Sequence, residues 1–219
     1  MNVFLTGATG YIGRAVAAHL VSRRHEVLGL THSPDKVAVL EKAGVSAVVG
    51  DIKNPDSYRQ SAGRCQAIIH AAAEYGPTAR QADERAVETL IEAAREAKAP
   101  RLIIYTSGVW VLGPKRQEPL DEDAEVAPLE IVKWRPEHEQ IALGAAKGTL
   151  KAVVLRPGCV FGGRGGLYGQ WLAAFDKGET VRLPGDGSNC WATVGLGDLA
   201  ALYAMIVESP PDRAIFHAT

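Results

Sequence analysis

Asn2-Val3-Phe4-Leu5-Thr6-Gly7-Ala8-Thr9-Gly10-Tyr11-Ile12-Gly13-Arg14 decides the fold. Val3, Phe4 and Leu5 read as a short buried strand. Residues 11–24 read as a helix that carries Ala15, Val16, Ala18, Leu20 and Val21. Gly7, Gly10 and Gly13 lie between and at the start of these elements. The first allows a tight turn out of the strand. The second leaves no side chain between the backbone and a bound diphosphate, and the third lets the helix pack close on a sheet. The helix N-terminus then presents free N–H groups to phosphate oxygens. The spacing is G-x-x-G-x-x-G rather than G-x-G-x-x-G, so the generic dinucleotide fingerprint does not match letter for letter.

Outward from this stretch, strand-like and helix-like segments alternate. Residues 26–30, 46–50, 67–70, 101–105 and 152–155 read as strands. Residues 34–43, 55–62 and 78–97 read as helices, the last with Ala86, Leu90, Ala93, Ala94 and Ala97 along one side. Gly44 ends the first of them, and Asn54 stands as a cap before Pro55. Alternation of this kind predicts βαβ units, right-handed crossovers and a parallel sheet. The fold class is therefore α/β, a doubly wound parallel sheet with helices on both faces. In such sheets the ligand lies beyond the carboxyl ends of the strands, so the residues just after each strand carry the function.

Composition narrows the classes. The chain has 219 residues, 47% apolar and 22% charged, which suits one soluble domain with room for a small lobe. A net charge of −1 gives no electrostatic case for nucleic acid, and no apolar run is long enough for a membrane span. Cys65, Cys159 and Cys190 are odd in number and widely spaced, with neither a disulfide framework nor a metal pattern, so no metal is expected. Met1 leads directly into a strand without a charged leader. That predicts no signal peptide and a cytoplasmic location.

After the second strand come Thr31, His32 and Ser33. No acid stands where one would bond a ribose 2′-OH. A hydroxyl, an imidazole and nearby Lys36 suit a 2′-phosphate better, so NADP is the expected cofactor, with NAD held through Asp35 as the alternative.

Together the segments resemble the extended and atypical short-chain dehydrogenase/reductases, the NAD-dependent epimerase/dehydratase family with its Rossmann-like fold. Residues 6–13 are similar to the family's Thr-Gly-x-x-Gly-x-x-Gly start, which implies cofactor contacts at Gly7, Thr9, Gly10, Tyr11, Ile12 and Gly13. Asp51-Ile52 looks like its adenine-binding pair. His70-Ala71-Ala72-Ala73 resembles a segment that lets the backbone approach the cofactor ribose, with His70 itself read as structural. Arg156-Pro157-Gly158-Cys159-Val160-Phe161-Gly162 resembles a turn that packs on the nicotinamide, implying contacts at Pro157 and Val160. Residues 191–200 resemble a segment in which an Asp, here Asp198, caps a helix.

Tyr105-Thr106-Ser107-Gly108-Val109-Trp110-Val111-Leu112-Gly113 is similar to the segment whose hydroxyl donates to a substrate carbonyl. Aligned on Val111-Leu112-Gly113, the active serine falls on Gly108. Aligned on the strand end, it falls on Ser107. The resemblance favours Ser107, with Thr106 as second candidate and as a cofactor contact.

The family's chemistry also needs Tyr and Lys four apart on the helix before the sixth strand. The six tyrosines are at 11, 58, 75, 105, 168 and 203, none of them in that segment. Alignment on Glu139-Gln140 puts Arg135 at the Lys position and Ile131 at the Tyr position. Arg135 can bond a ribose and stabilise negative charge, but it does not release its proton. His138 brings an imidazole, the side-chain type suited to acid–base work, to this segment. Its alternative reading is the first turn of a helix, with Glu137 and Glu139 suiting the dipole. Pro136 means that this helix either starts there or is kinked.

The expected organisation is a dinucleotide-binding part, residues 1–156, and a reduced or truncated substrate-binding lobe, residues 157–219, within one compact unit. Residues 162–187, with eight glycines, read as a mobile loop with a short helix over the substrate. Trp134, Trp171 and Trp191 are candidates to line a pocket. The family resemblance implies a homodimer through the helices preceding the fifth and sixth strands. The function expected is an NADP-dependent oxidoreductase or epimerase/dehydratase-like enzyme acting on a carbonyl or hydroxyl of a small molecule. The alternative is a non-catalytic NADPH-sensing protein.

Overall fold

Val3, Phe4 and Leu5 are fully buried in strand β1 (Asn2–Thr6). The computed structural model describes residues 1–96, 101–114, 118–183 and 185–219. Six further strands join β1 in one sheet: β2 (Glu26–Thr31), β3 (Ser46–Val49), β4 (Ala67–His70), β5 (Arg101–Thr106), β6 (Leu150–Pro157) and β9 (Arg213–Ala218). Their order is β3-β2-β1-β4-β5-β6-β9, and every neighbouring pair is parallel. Chain direction across the sheet reverses between β1 and β4, where Thr6 pairs with His70. This is the switch point at which doubly wound sheets open a crevice.

Strand periodicity divides the core in two. Val3, Leu5, Ile69, Ile104 and Leu155 face α1 (Tyr11–Ser22) and α7 (Leu196–Glu208), which contribute Leu20 and Tyr203. Phe4, Ile68, Ile103, Tyr105 and Val154 face the other way, toward α3 (Arg59–Gly63), α4 (Ala79–Arg95) and α5 (Arg135–Leu143). Burial on both faces explains why these strands read as continuous apolar runs.

The structure revises several local expectations. The expected helix 34–43 is a 3₁₀ turn (Pro34–Lys36) followed by α2 (Val37–Lys42), and the helix 55–62 is likewise a turn (Pro55–Ser57) and then α3. Asn54 makes no side-chain cap; its carbonyl instead accepts from Ser57 Oγ at 2.6 Å. Asp198 does not cap α7, because the helix already begins at Leu196 behind Gly195. Pro136 lies in the first turn of α5 without a kink, since that helix starts at Arg135. Ala97 lies outside the described residues.

Residues after β6 divide between the main fold and an addition. β9 and α7 belong to the main sheet and its covering layer. Between them lie a two-stranded parallel sheet, β7 (Cys159–Phe161) with β8 (Thr193–Gly195), and α6 (Gly166–Asp176). Two strands of three residues are too short for a periodicity signal, and the sequence reading missed them.

Candidate active site

The turn after β1 is as tight as its glycines require. Gly7 has φ +71°, and a methyl group there would lie 2.7 Å from the Ala71 carbonyl oxygen. A methyl at Gly13 would lie 2.0 Å from the Gly7 carbonyl oxygen. Gly10 differs: its one near neighbour is the turn's own Gly7 oxygen, at 3.1 Å, and the rest of its face opens on a cavity. α1 begins there with neither a side-chain cap nor an acid in its first turn, so its dipole and N–H groups are left to an external anion.

This cavity, about 510 Å³, is lined by Gly7, Thr9, Gly10, Tyr11, Ile12, Gly13, Thr31, His32, Asp51, Ile52, Ala71, Ala72 and Ala73. Of the expected cofactor residues, Ser33, Thr106, Pro157 and Val160 are not among its walls. Ser33 instead closes a small turn with the Thr31 hydroxyl, its N–H donating to Thr31 Oγ1 at 3.2 Å. Asp51 does not cap the helix after it; Oδ1 accepts from Lys53 N at 2.9 Å. Gly166 and Gln170 also face the cavity and were not foreseen. They are brought there by Tyr11, whose hydroxyl donates to the Gly162 carbonyl at 2.6 Å and whose ring packs on Gly165 and Gly166.

A second cavity, about 580 Å³, adjoins the first through Ile12, Ala73, Glu74 and Tyr75. It holds Ser107, Arg135, Pro157 and Val160, with Trp110, Trp134 and Ile131 as apolar wall. Ser107 Oγ is buried and has no hydrogen-bond partner among the described residues. The Thr106 hydroxyl turns away to Tyr203 Oη at 2.6 Å. Side chains alternate across a strand end, so the two hydroxyl candidates serve opposite sides. Ile131, at the aligned Tyr position, is 71% exposed on a 3₁₀ turn. Trp171 and Trp191 stack on each other at 5.9 Å and line neither cavity. Among the described residues no cluster of His, Cys, Asp or Glu is placed to hold a metal, and no helix is long and apolar enough to cross a membrane.

Behind Ser107 and Arg135 lies a buried polar network that the sequence reading missed. Asp83, on α4, accepts from Tyr105 Oη at 2.8 Å, His138 Nδ1 at 2.7 Å and His70 Nε2 at 3.3 Å. Thr6 Oγ1 takes the Ala71 and Ala72 N–H groups, both at 3.1 Å, so its proton goes to His70 Nδ1 at 2.8 Å. That leaves the His70 proton on Nε2, aimed at Asp83. Arg135 reaches the network from the cavity side, with Nη1 donating to the Thr106 carbonyl at 3.2 Å and toward Tyr105 Oη at 3.5 Å. His138 does lie in the first turn of α5, but on the side that faces the core. It is fully buried, as is Glu139, which forms a two-pronged pair with Arg156 at 3.0 and 2.6 Å. One signal was available: Asp83 lies on the apolar side of its helix with Ala86, Val87 and Leu90.

Burial by itself would raise the Asp83 carboxyl. The hydrogen bonds from His138 and His70 and the charge of Arg135 outweigh it and hold the group well below the usual carboxylate range. A carboxyl whose folded pKa is depressed adds stability above its unfolded pKa, about 3.9, and loses it as pH falls below that value. Thermal melts of the wild type and Asp83→Asn from neutral pH downward are expected to show a constant gap above about pH 4 and a narrowing gap below it. A gap that widens on acidification would contradict this. Burial, then the Asp83 charge, pushes the Tyr105 hydroxyl far up, so it remains a donor at any ordinary pH.

A parallel sheet with a glycine-cradled, anion-seeking crevice at its switch point, opening into a second cavity with a free hydroxyl, defines a dinucleotide-binding α/β protein of the Rossmann type. The sequence model of the NAD dependent epimerase/dehydratase family matches residues 3–216, and the chain belongs to that family. An uncharacterized protein of Schizosaccharomyces pombe is 29% identical over 225 residues, covering 100% of this chain and 74% of its own length. The 2-alkyl-3-oxoalkanoate reductase of Stenotrophomonas maltophilia is 29% identical over 226 residues, covering 95% of this chain and 66% of the relative. The solved UDP-glucose 4-epimerase of Thermotoga maritima superposes with a TM-score of 0.86 at 20% identity, over 99% of this chain and 76% of that one, which shows the shared fold.

Proposed function

We propose that the chain is an NADP-dependent oxidoreductase acting on a carbonyl or carbinol carbon of a small molecule. The observation that carries this reading is the continuity of the two cavities, one beside the uncapped start of α1 and the other around the unpartnered Ser107 hydroxyl. The lining fits a dinucleotide. Gly10 leaves room for a diphosphate, Asp51 and Ile52 lie where an adenine would rest, and Ala71–Ala73 offer backbone without bulk. His32 in the wall, and the lack of an acid at the end of β2, favour a 2′-phosphate. A bound nicotinamide supplies the hydride donor or acceptor. Ser107 donates its hydroxyl proton to the substrate oxygen as a hydrogen bond and so polarises the C–O bond. Arg135 stays charged and cannot deliver a proton. Water entering past Tyr75, which is 89% exposed, supplies it. Relatives named as reductases and dehydrogenases support the same reaction type.

A second reading, an NADPH sensor without turnover, is favoured by one observation: His138 is committed to Asp83, so α5 presents no proton donor to the cavity. Titration with NADPH and NADH, followed by tryptophan fluorescence, tests the common part. Micromolar NADPH binding with NADH at least about tenfold weaker is expected. Reversed preference would move the ribose contact to Asp35. Absence of binding in a folded sample would remove both readings. Turnover on a carbonyl panel that falls about 10²–10³-fold in Ser107→Ala, with NADPH binding retained, separates the enzyme from the sensor.

A further inference from the structure

We propose that the cavity beside Ser107 takes an oxo acid, with Arg135 holding the substrate carboxylate and an alkyl or aryl body lying against Trp110, Trp134 and Ile131. The proposal rests on the reading of the adjoining crevice as the cofactor site.

The charges around this cavity are not equivalent. Arg80 is already paired with Glu137 at 2.8 Å, and Glu74 with Lys53 at 3.1 Å. Arg135 has no carboxylate within 4.0 Å among the described residues. Its guanidinium is held from behind by the Thr106 carbonyl and Tyr105 hydroxyl, and its carbon lies 4.7 Å from the centre of the Trp134 ring. One nitrogen and one face are thus occupied by the protein, which sets the plane of the fork. A guanidinium with a fixed plane meets a carboxylate with two parallel bonds and loses little freedom in doing so. Asp83 stabilises this arrangement without neutralising it by contact, because the Tyr105 hydroxyl stands between them.

The remaining walls define the rest of the ligand. Apart from Ser107 and the charged or aromatic residues already named, the cavity is lined by aliphatic side chains, glycines, prolines and Cys159. Among the described residues that line it there is no Asn, Gln, Thr or His to meet a row of hydroxyls. A sugar would leave its hydroxyls unpaired there, at the cost that any buried polar group carries. Beside the hydroxyl of the exposed Tyr75, the cavity offers the neutral donor of Ser107 and the remaining N–H groups of the charged Arg135. Ser107 suits the carbonyl oxygen, and Arg135 suits a permanent anion on the same molecule.

The test compares 2-oxooctanoate and 3-oxooctanoate with their methyl esters, titrated with and without NADP and followed through tryptophan fluorescence. The acids are expected to bind at least about tenfold more tightly than the esters, as one charge-assisted pair implies. In Arg135→Gln, checked for folding by its melting transition, the acid and ester affinities are expected to converge. Equal binding of acids and esters to the wild type would overturn the proposal even if NADP binds, leaving the cofactor reading intact. Failure of NADP to bind would overturn the cofactor reading, while the NADP-free titrations still judge the acid preference. Loss of NADP affinity in Arg135→Gln with the acid preference unchanged would assign Arg135 to the dinucleotide and also overturn the proposal. The wild-type comparison remains decisive if the variant does not fold.

Discussion

Asp83→Ala is expected to destabilise the protein by about 3–5 kcal/mol, the range for removing one partner of a buried charged pair. The carboxylate takes three donors at once, from Tyr105, His138 and His70. Its removal leaves two imidazole N–H groups and a phenol facing one another in a buried space, with Nε2 of His138 already without a partner among the described residues. Each stranded donor costs roughly 1–3 kcal/mol, but the neighbours relax together, so the terms do not simply add. For a chain of this size the midpoint of thermal unfolding falls by about 6–20 °C. Asp83→Asn retains an acceptor oxygen and is expected to lose less than half as much. A melting point within about 2 °C of wild type in Asp83→Ala would mean that the network adds little net stability, as some buried ion pairs do. The loss should also reach the active site, because Tyr105 joins Asp83 to Arg135.

Gly13→Ala is expected to weaken NADPH binding by about 10- to 100-fold. The new methyl would sit 2.0 Å from the Gly7 carbonyl oxygen, which is backbone and cannot rotate away. Overpacking of this kind costs about 1–3 kcal/mol. It is relieved by moving the start of α1 away from the turn, which also moves the N–H groups aimed at the diphosphate. That energy, withdrawn from binding, corresponds to the stated loss. The control is Gly197→Ala, on the exposed side of α7, where a methyl meets no atom within 4 Å. There the substitution should leave binding unchanged and raise stability by up to about 1 kcal/mol through helix propensity. Equal NADPH affinity in Gly13→Ala and wild type would show that the turn tolerates displacement and that the crevice is not where the diphosphate lies.

Much of the fold was legible because its signals are local. Val3-Phe4-Leu5, Ala67–His70 and the run through Tyr105 are short apolar segments bounded by glycine or polar residues, and a parallel sheet buried on both faces produces such runs. The glycine spacing likewise announced a tight turn before a helix. Less legible were the short elements, where two or three residues carry no period: the 3₁₀ turns at Pro34 and Pro55 and the small β7–β8 sheet. Asp198 and Asn54 have the composition of caps, but whether a cap forms depends on where the backbone begins to coil, and that is decided by neighbouring packing.

By itself the sequence determined the α/β class, six of the strands of the main sheet, the glycine-built turn after β1, and the absence of a Tyr and Lys four apart before β6. Each follows from residues adjacent in the chain or from a spacing of three or four. Only the tertiary structure decided that Ser107 faces the cavity while Thr106 faces Tyr203, that Arg135 reaches β5, and that His138 belongs to Asp83 rather than to solvent. Asp83, Tyr105 and His138 lie 22 and 55 positions apart along the two hydrogen bonds that join them through Asp83. No local periodicity couples such residues; they meet because α4 and α5 pack on one face of the sheet, and the low polarity of that interface leaves each donor no other partner.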